Sequence, residues 1–173
     1  MSTKLFTHYS RDENLVIKNE PKEHCIKPRG LWLAKGDEWL KACNKMGMGC
    51  AKYKYEIIVD MTDIIVIDSV EKLIEFTQTY RLNFFSIDWA KVFSTYKGIF
   101  INNYKMIKSS MMFTDVLRGF EYTWFLGCDI SSCCIVDTSC IVSYSKCADQ
   151  PHKIFSSDGE DVECDDKDDR ESD

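Results

Sequence analysis

The sequence predicts a single α+β domain with a split, mixed or antiparallel sheet and two or three flanking helices. Segments with the apolar pattern of strands outnumber those with the pattern of helices. Neighbouring strand segments are joined by stretches too short for repeated crossover helices, which disfavours a doubly wound sheet. Of the 173 residues, 45% are hydrophobic, which is enough for one ordinary core. We therefore place one domain over residues 3–148.

The first half of this domain is predicted to contain three strands and one helix. Residues 5–9 and 30–33 have the composition of short strands and are separated by a loop with two prolines. Asp37 is positioned to cap the helix that follows, and a glycine-containing segment at residues 47–49 ends it. Residues 53–58 then alternate in hydrophobicity with a period of two, which is typical of a half-buried strand.

The second half is predicted to add at least two helices and four strands. Residues 64–67 form a continuous β-branched run, which favours a central strand, and Asp68 with Ser69 follows as the cap of a helix ending near Tyr80. The remaining predicted elements are a helix over residues 87–93, a strand over 99–101, mixed helix and loop over 104–119, and two closing strands over 122–126 and 133–136.

Negative charge is concentrated in residues 149–173, which we predict to be an acidic disordered tail. This segment holds eleven acidic residues against three basic ones, a net charge of −8, so the rest of the chain carries +2 of the formal −6. A self-repelling segment with few apolar side chains cannot offset its ordering entropy by burial. The tail is an acidic arm for a basic partner, an arm that keeps the domain off nucleic acid, or a solubilising end.

The composition also indicates the cellular compartment and excludes two classes of partner. No apolar run of about eighteen residues occurs, and the amino terminus lacks the pattern of a signal peptide. We therefore expect an intracellular, cytoplasmic protein, in the host cytoplasm if the protein is viral, with no membrane partner. Basic residues are too sparse among the aromatic ones to predict a nucleic-acid groove, so nucleic acid is not an expected partner.

The nine cysteines are expected to be reduced thiols in that compartment. Five of them follow the spacing C-x4-C-C-x5-C-x6-C from Cys128 to Cys147, which is dense enough for zinc. However, no C-x-x-C pair is present, and the adjacent Cys133 and Cys134 should point to opposite faces of a strand. We therefore assign no metal site.

The candidate binding residues lie in the first two strand segments. His8, Tyr9 and Ser10 end one segment, while Gly30 and Trp32 enter the next. An imidazole can donate to a ribose hydroxyl, and an indole or phenol ring can stack on a nicotinamide-like ring. The alternative is a strand histidine bonded to a backbone carbonyl, with Trp32 packed in the core.

Four segments resemble a family of uncharacterised proteins from bacteria, phages and large DNA viruses. They are HYS at residues 8–10, KPRGLWL at 27–33, IDWAKVFSTYKGIFINNY at 87–104 and YTWFLGCDISSCCIV at 122–136. The chain departs from the family pattern at Lys97, Asn103 and Cys133, where Asp, Pro and Gly are expected. This resemblance implies no particular activity.

A strand with His followed by a Gly-hydrophobe-aromatic strand is more distantly similar to the start of ADP-ribosyltransferases. This resemblance implies an ADP-ribosyltransferase-like fold, NAD as the cofactor, a ribose contact for His8 and nicotinamide stacking for Trp32. Such enzymes need a glutamate on a late strand, which stabilises the developing positive charge. No carboxylate lies in residues 98–102, so Glu56 is the first substitute and Glu121 the second.

The residues leave a second class of function open. The alternative to a nucleotide-binding protein is a non-catalytic interaction protein, in the viral setting, whose aromatic groove binds a peptide or a partner protein. Loss of an NAD-induced thermal shift in His8→Ala would distinguish the two.

Overall fold

The computed structural model describes residues 2–15, 26–47, 51–113 and 122–147. The predicted tail at 149–173 and the second candidate acid, Glu121, lie outside the described residues. The strands are β1 (Thr3–Ser10), β2 (Leu31–Ala34), β3 (Tyr53–Asp60), β4 (Ile64–Ile67), β5 (Gly98–Ile101), β6 (Ser132–Ile135) and β7 (Ile141–Lys146). The α-helices are α1 (Glu38–Met46), α2 (Val70–Tyr80), α3 (Trp89–Phe93), α4 (Tyr104–Phe113) and α5 (Thr123–Leu126).

The α+β class is therefore confirmed, whereas the predicted number of helices is too low. Five α-helices are present in the described ranges, where two or three were expected. Helix α5 has four residues, and a segment this short gives little helical periodicity in a sequence, while α4 lies in the stretch predicted as mixed helix and loop. Across these same ranges, no helix has the length and apolar character needed to cross a bilayer.

All seven strands join one mixed sheet in the order β4-β5-β6-β2-β1-β3-β7. The β4 and β5 strands are parallel, and every other neighbouring pair is antiparallel. The predicted split of the sheet is not found among the described strands, which all belong to this one sheet. The sheet is narrowest between β1 and β2, where a single register pair, Thr7 with Ala34, joins the strands.

The predicted central position of the 64–67 strand is wrong, because β4 lies at the end of the sheet. Its β-branched run indicates that both faces of the strand are buried, and not that the strand lies in the middle of the sheet. Ile67 belongs to the core layer on one face, and Ile64 belongs to the layer on the other. Layers on both faces thus give an end strand the continuous apolar pattern that usually marks a central one.

Two core layers cover the two faces of the sheet. One contains Trp124 and Cys134 with the side chains of α2 and α4, and the other contains Phe100 and Cys133 with the inner residues of β1, β2 and β3. The prediction that the adjacent thiols point to opposite faces is confirmed. Both cysteines are fully buried, so they act as small core residues.

Two helix boundaries follow the sequence signals and one does not. The Ser69 hydroxyl accepts the Lys72 amide at 3.3 Å and caps α2. Gly47 ends α1 with φ +62°, a left-handed conformation suited to glycine. The capping role predicted for Asp37 is wrong, because its side chain makes no cap hydrogen bond and binds partners on β1 and β3 instead.

The segment 122–126 was predicted as a strand and forms helix α5. Its Trp124 is fully buried and donates its indole N–H to the Thr77 hydroxyl of α2 at 3.2 Å. A short apolar run does not distinguish a buried helix from a strand, so tertiary packing decides between them. Strand β7 was not predicted, because its side chains are largely exposed and give no clear hydrophobic alternation.

Candidate functional site

A cavity of about 300 Å³ opens among β1, β2, helix α1 and the loop that precedes β6. This volume lies at the lower end of the range for small-molecule sites, about 300–1,000 Å³. The lining residues are Thr7, His8, Tyr9, Lys27, Trp32, Leu33, Ala34, Trp39, Cys128, Ile130 and Ser132. The cavity is thus mainly apolar, with few polar groups in its wall.

Three of the sequence-predicted site residues meet here. His8, Tyr9 and Trp32 all line the cavity, although residues 8 and 32 are far apart in the chain. The antiparallel placement of β1 beside β2 brings them together. Ser10, Gly30 and Glu56 do not line it.

The imidazole of His8 has a defined tautomer in its neutral form. Its Nδ1 lies 2.8 Å from the Trp32 carbonyl oxygen, and a carbonyl can only accept, so Nδ1 carries the proton. Burial lowers the pKa of His8, against the opposing effect of the hydrogen bond to Trp32. The ring is therefore neutral at pH 7, and Nε2 is left as an acceptor.

This geometry changes the role expected for His8. The sequence suggested donation to a ribose hydroxyl, whereas Nε2 of the neutral ring can only accept a hydrogen bond from one. No described residue forms a hydrogen bond with Nε2. The alternative expectation of a histidine bonded to a backbone carbonyl is confirmed for Nδ1, which donates to the Trp32 carbonyl, and it leaves Nε2 of the same ring as the acceptor.

The narrow junction between β1 and β2 makes this hydrogen bond available. A backbone carbonyl that the ladder does not use is available to accept a hydrogen bond from a side chain of the neighbouring strand. The ladder is restricted to Thr7 and Ala34, so the Trp32 carbonyl is left for His8. On its other side the imidazole lies near the Tyr55 ring, with centroids 6.4 Å apart.

The indole of Trp32 is held by two neighbours. Its N–H donates to the Pro28 carbonyl at 3.2 Å, and the Lys27 ammonium lies 5.9 Å from the ring centroid. Lys27 is also 3.8 Å from the Asp129 carboxylate, in an ion pair whose side chains are 42% and 50% exposed. An exposed pair at this distance is weak, so Lys27 can exchange its partner at little cost.

Tyr9 is the third predicted residue in the wall, and its hydroxyl is already engaged. It donates to the Asp37 carboxylate at 2.5 Å, and Lys54 donates to the same oxygen at 2.9 Å. These two hydrogen bonds lower the pKa of Asp37, while burial and then Asp37 raise the pKa of Tyr9. Tyr9 therefore stays a neutral phenol whose position is fixed.

Glu56 is not placed to act with His8, which corrects its assignment as the catalytic acid. On β3 it lies directly opposite Thr7, whereas Tyr55 lies opposite His8. Thr7 and His8 both line the cavity although successive side chains leave opposite faces of a strand, so the face alone does not exclude Glu56. It is excluded because it is not among the residues that line the cavity.

Ser10 and Gly30 have structural roles in place of the predicted ligand contacts. The Ser10 hydroxyl accepts the Asp12 amide at 3.0 Å in the turn that ends β1. A Cβ atom at Gly30 would lie 2.3 Å from the Ile135 carbonyl oxygen and 2.9 Å from Cys134 Sγ. Gly30 is thus required by close packing against β6.

Trp39, Lys27, Cys128 and Ser132 were missed as cavity residues. Lys27 lies in the same sequence segment as Trp32, which is a usable signal, whereas the fold alone brings in Trp39 from α1, Cys128 from the loop before β6 and Ser132 from the start of β6. Burial raises the pKa of Cys128 to about 12, so this residue is a neutral thiol and not a nucleophile.

Within the described ranges, no group of three or more His, Cys, Asp or Glu side chains could hold a metal ion. Comparison of the chain with known protein families, curated proteins and solved structures finds no match. Functional inference therefore rests on the cavity and its chemistry.

Proposed function

We propose that the cavity binds NAD or a related nucleotide, in an arrangement like that of ADP-ribosyltransferases. The observation that carries this proposal is that one cavity combines a fixed indole, an imidazole with an open acceptor nitrogen and an ammonium group. A nucleotide offers the matching groups, which are a flat ring, a sugar hydroxyl that can donate and a phosphate.

The indole of Trp32 supplies a rigid flat surface against which the nicotinamide-like ring would lie. Its edge is fixed by Pro28, so little side-chain entropy is lost when a ligand stacks on it. Trp39 adds a second aromatic wall from helix α1. A volume of about 300 Å³ suits a heterocycle with its sugar, and the phosphates would then extend towards the mouth.

The polar contacts follow from the fixed protonation states. A ribose hydroxyl would donate to Nε2 of His8, which is the acceptor in the neutral ring. Lys27 would leave its weak pair with Asp129 for a phosphate, where a charge-assisted hydrogen bond is stronger. The proposal concerns binding, because Glu56 does not line the cavity and so is not placed to stabilise a charge there.

The test is titration of the full-length protein with NAD, nicotinamide mononucleotide and ADP-ribose by calorimetry, supported by thermal shift. The informative variant is His8→Asn, whose amide N–H can still reach the Trp32 carbonyl but which has no atom at the position of Nε2. We expect the wild type to bind at least one of the three. We expect the variant to keep its melting temperature and to bind about tenfold more weakly, the value of one lost hydrogen bond.

His8→Ala and a pH series complete the test. His8→Ala should abolish the ligand-induced thermal shift. Because the pKa of His8 is lowered, its Nε2 stays an acceptor at pH 7, and affinity should fall only when acid protonates the ring. No saturable binding at millimolar ligand, or equal affinity in His8→Asn, would overturn the proposal.

A second candidate is the non-catalytic interaction protein, which one observation favours. Phe84 and Phe85 are 52% and 54% exposed, and their rings pack edge to face at 5.5 Å. Asn83 fixes this loop by accepting the amides of Phe85 and Ser86. Exposed aromatic pairs on an ordered loop are common at protein interfaces. In that case Phe84→Ser/Phe85→Ser should abolish partner binding, with NAD having no effect.

A further inference from the structure

The floor of the cavity is a row of three small residues from three neighbouring strands. Thr7 of β1 is paired with Ala34 of β2, and Ala34 is paired in turn with Ser132 of β6. Directly opposed residues of a sheet share a face, so the three side chains lie side by side. All three are buried and line the cavity. A ligand that reaches this floor therefore meets the methyl group of Ala34 with a hydroxyl oxygen on either side of it.

Both hydroxyl groups of the floor donate their proton within the protein. Thr7 donates to the Gly36 carbonyl, and Ser132 donates to the Ile130 carbonyl at 3.3 Å. A hydroxyl group has one proton to donate and two lone pairs that can accept. The side chains of the floor thus offer acceptors to a ligand and no donor. Nε2 of His8 is a third acceptor in the same cavity.

The same pattern extends over the wall of the cavity. Seven lining side chains carry a single polar hydrogen when His8 is neutral, and six of them donate it within the protein. The six are Thr7, His8, Tyr9, Trp32, Cys128 and Ser132. The seventh is Trp39 of α1, and Lys27 adds its ammonium group, but neither residue belongs to the floor. The side chains that meet the buried end of a ligand are therefore acceptors.

The ligand group that lies on the floor must then be a hydrogen-bond donor. A flat ring that carries an NH2 group, as a primary amide or as a ring amine, has two protons for these acceptors. A carboxylate has only lone pairs, and it would be buried against hydroxyl oxygens with no donor or cation among the side chains of the floor. An acetyl group of the same shape is uncharged, but it also leaves the hydroxyl oxygens unpaired, which weakens binding.

We propose that the cavity selects flat rings that carry an NH2 group and rejects the corresponding carboxylates. The NH2 group lies on Ala34 and donates to Thr7 and Ser132. The selection rests on the nucleotide site proposed above and narrows its ligand. Nicotinamide and adenine both offer the group, the first on an amide and the second on the ring. In both cases the phosphate is held by Lys27, so the ring decides the selection.

The test is calorimetric titration of the full-length protein with mononucleotides that differ only at this group. Nicotinamide mononucleotide has the amide, its 3-acetylpyridine analogue has a methyl group in place of NH2, and nicotinic acid mononucleotide has a charged oxygen there. We expect the acetyl analogue to bind about tenfold more weakly than the amide, the value of one lost hydrogen bond. The acid should bind on the order of a hundredfold more weakly, since its charge is also left unpaired.

AMP and its analogue without the 6-amino group form a second pair of ligands. If adenine is the ring on the floor, AMP should bind about tenfold more tightly than this analogue. The pair that shows the difference therefore identifies the ring.

Ser132→Ala supplies the matched variant, because it removes one acceptor from the floor and adds no bulk. It should weaken binding of the NH2 ligand several-fold and change the affinity of the analogue without NH2 by less than about twofold. Ser143→Ala removes an exposed serine of β7, which does not line the cavity, and should change neither affinity. If Ser132→Ala does not fold, the comparison of ligands on the wild-type protein decides the question.

The outcomes separate this selection from the nucleotide site itself. If mononucleotides bind but neither pair shows a preference for NH2, the selection is overturned and the nucleotide site stands. If Ser132→Ala weakens the NH2 ligand and its analogue equally, the role of the floor is overturned. If none of the mononucleotides binds at millimolar concentration, the nucleotide site and the selection both fail.

Discussion

Gly30→Ala should destabilise the fold, because Gly30 is a packing residue and not part of a ligand site. An ideal Cβ at this position would lie 2.3 Å from the Ile135 carbonyl oxygen and 2.9 Å from Cys134 Sγ, whereas ordinary contacts are 3.4–4 Å. The nearest atom belongs to the backbone of β6, which cannot rotate away as a side chain can. The strand itself must shift by roughly 1 Å.

The surroundings of β6 set the magnitude. This strand is paired with β2 on one side and β5 on the other, and a Cβ at Gly98 would also come within 2.6 Å of the Cys134 carbonyl oxygen. A shift of β6 away from Gly30 therefore pushes it towards Gly98. Overpacking of this kind costs about 1–3 kcal/mol. For a domain of this size that corresponds to a fall in melting temperature of roughly 2–12 °C.

The assay is chemical and thermal denaturation followed by circular dichroism, with Gly127→Ala as the control. A Cβ at Gly127 would lie 2.9 Å from Lys27 Cε, which is the flexible end of a side chain, and φ at Gly127 is −73°. This control should therefore change the free energy of unfolding by less than about 0.5 kcal/mol. If Gly30→Ala were as stable as the control but lost nucleotide binding, the packing explanation would be refuted.

Three further predictions concern buried hydrogen bonds, pH and thiol reactivity. Thr77→Val removes the acceptor of the buried Trp124 indole N–H and should cost about 1–3 kcal/mol in urea denaturation, whereas Thr77→Ser should retain most of the stability. Tyr9→Phe removes a hydrogen bond that lowers the pKa of Asp37. A carboxyl group whose pKa is lowered on folding stabilises the fold at pH values above its unfolded pKa, and this stabilisation is lost as the pH falls through its folded pKa. The variant should therefore be less stable than the wild type at pH 7, and the two stabilities should converge in acid. Cys147 is partly exposed, so it should react with a thiol reagent faster than the buried cysteines of the described chain. Mass spectrometry measures the modification rate of each cysteine, and equal rates would contradict the partial exposure of Cys147.

Much of the secondary structure could be predicted from local signals. Strands β1, β2, β3 and β6 and the boundaries of α2 followed from alternation, β-branched runs and the Ser69 cap, because these patterns report interactions within a few residues. The errors fall where distant partners compete with a local preference. Asp37 has the position of a cap, yet a phenol and an ammonium from other strands occupy its carboxylate.

The candidate site divides in the same way. The sequence selected His8, Tyr9 and Trp32, since polar and aromatic residues at strand ends are recognisable by type, and the structure places all three in one cavity. It could not exclude Glu56, because which residues of β3 reach a cavity beside β1 and β2 depends on the order and register of the strands.

By itself, the sequence determined the α+β class, most of the strands and the residue types suited to a nucleotide. The tertiary structure decided which of those side chains share a cavity, which nitrogen of His8 is the acceptor and why Gly30 must be glycine. The physical reason is that contacts between residues far apart in the chain set the strand order, the register and the single-pair junction between β1 and β2. Local sequence patterns depend on neighbouring residues and so do not specify these contacts.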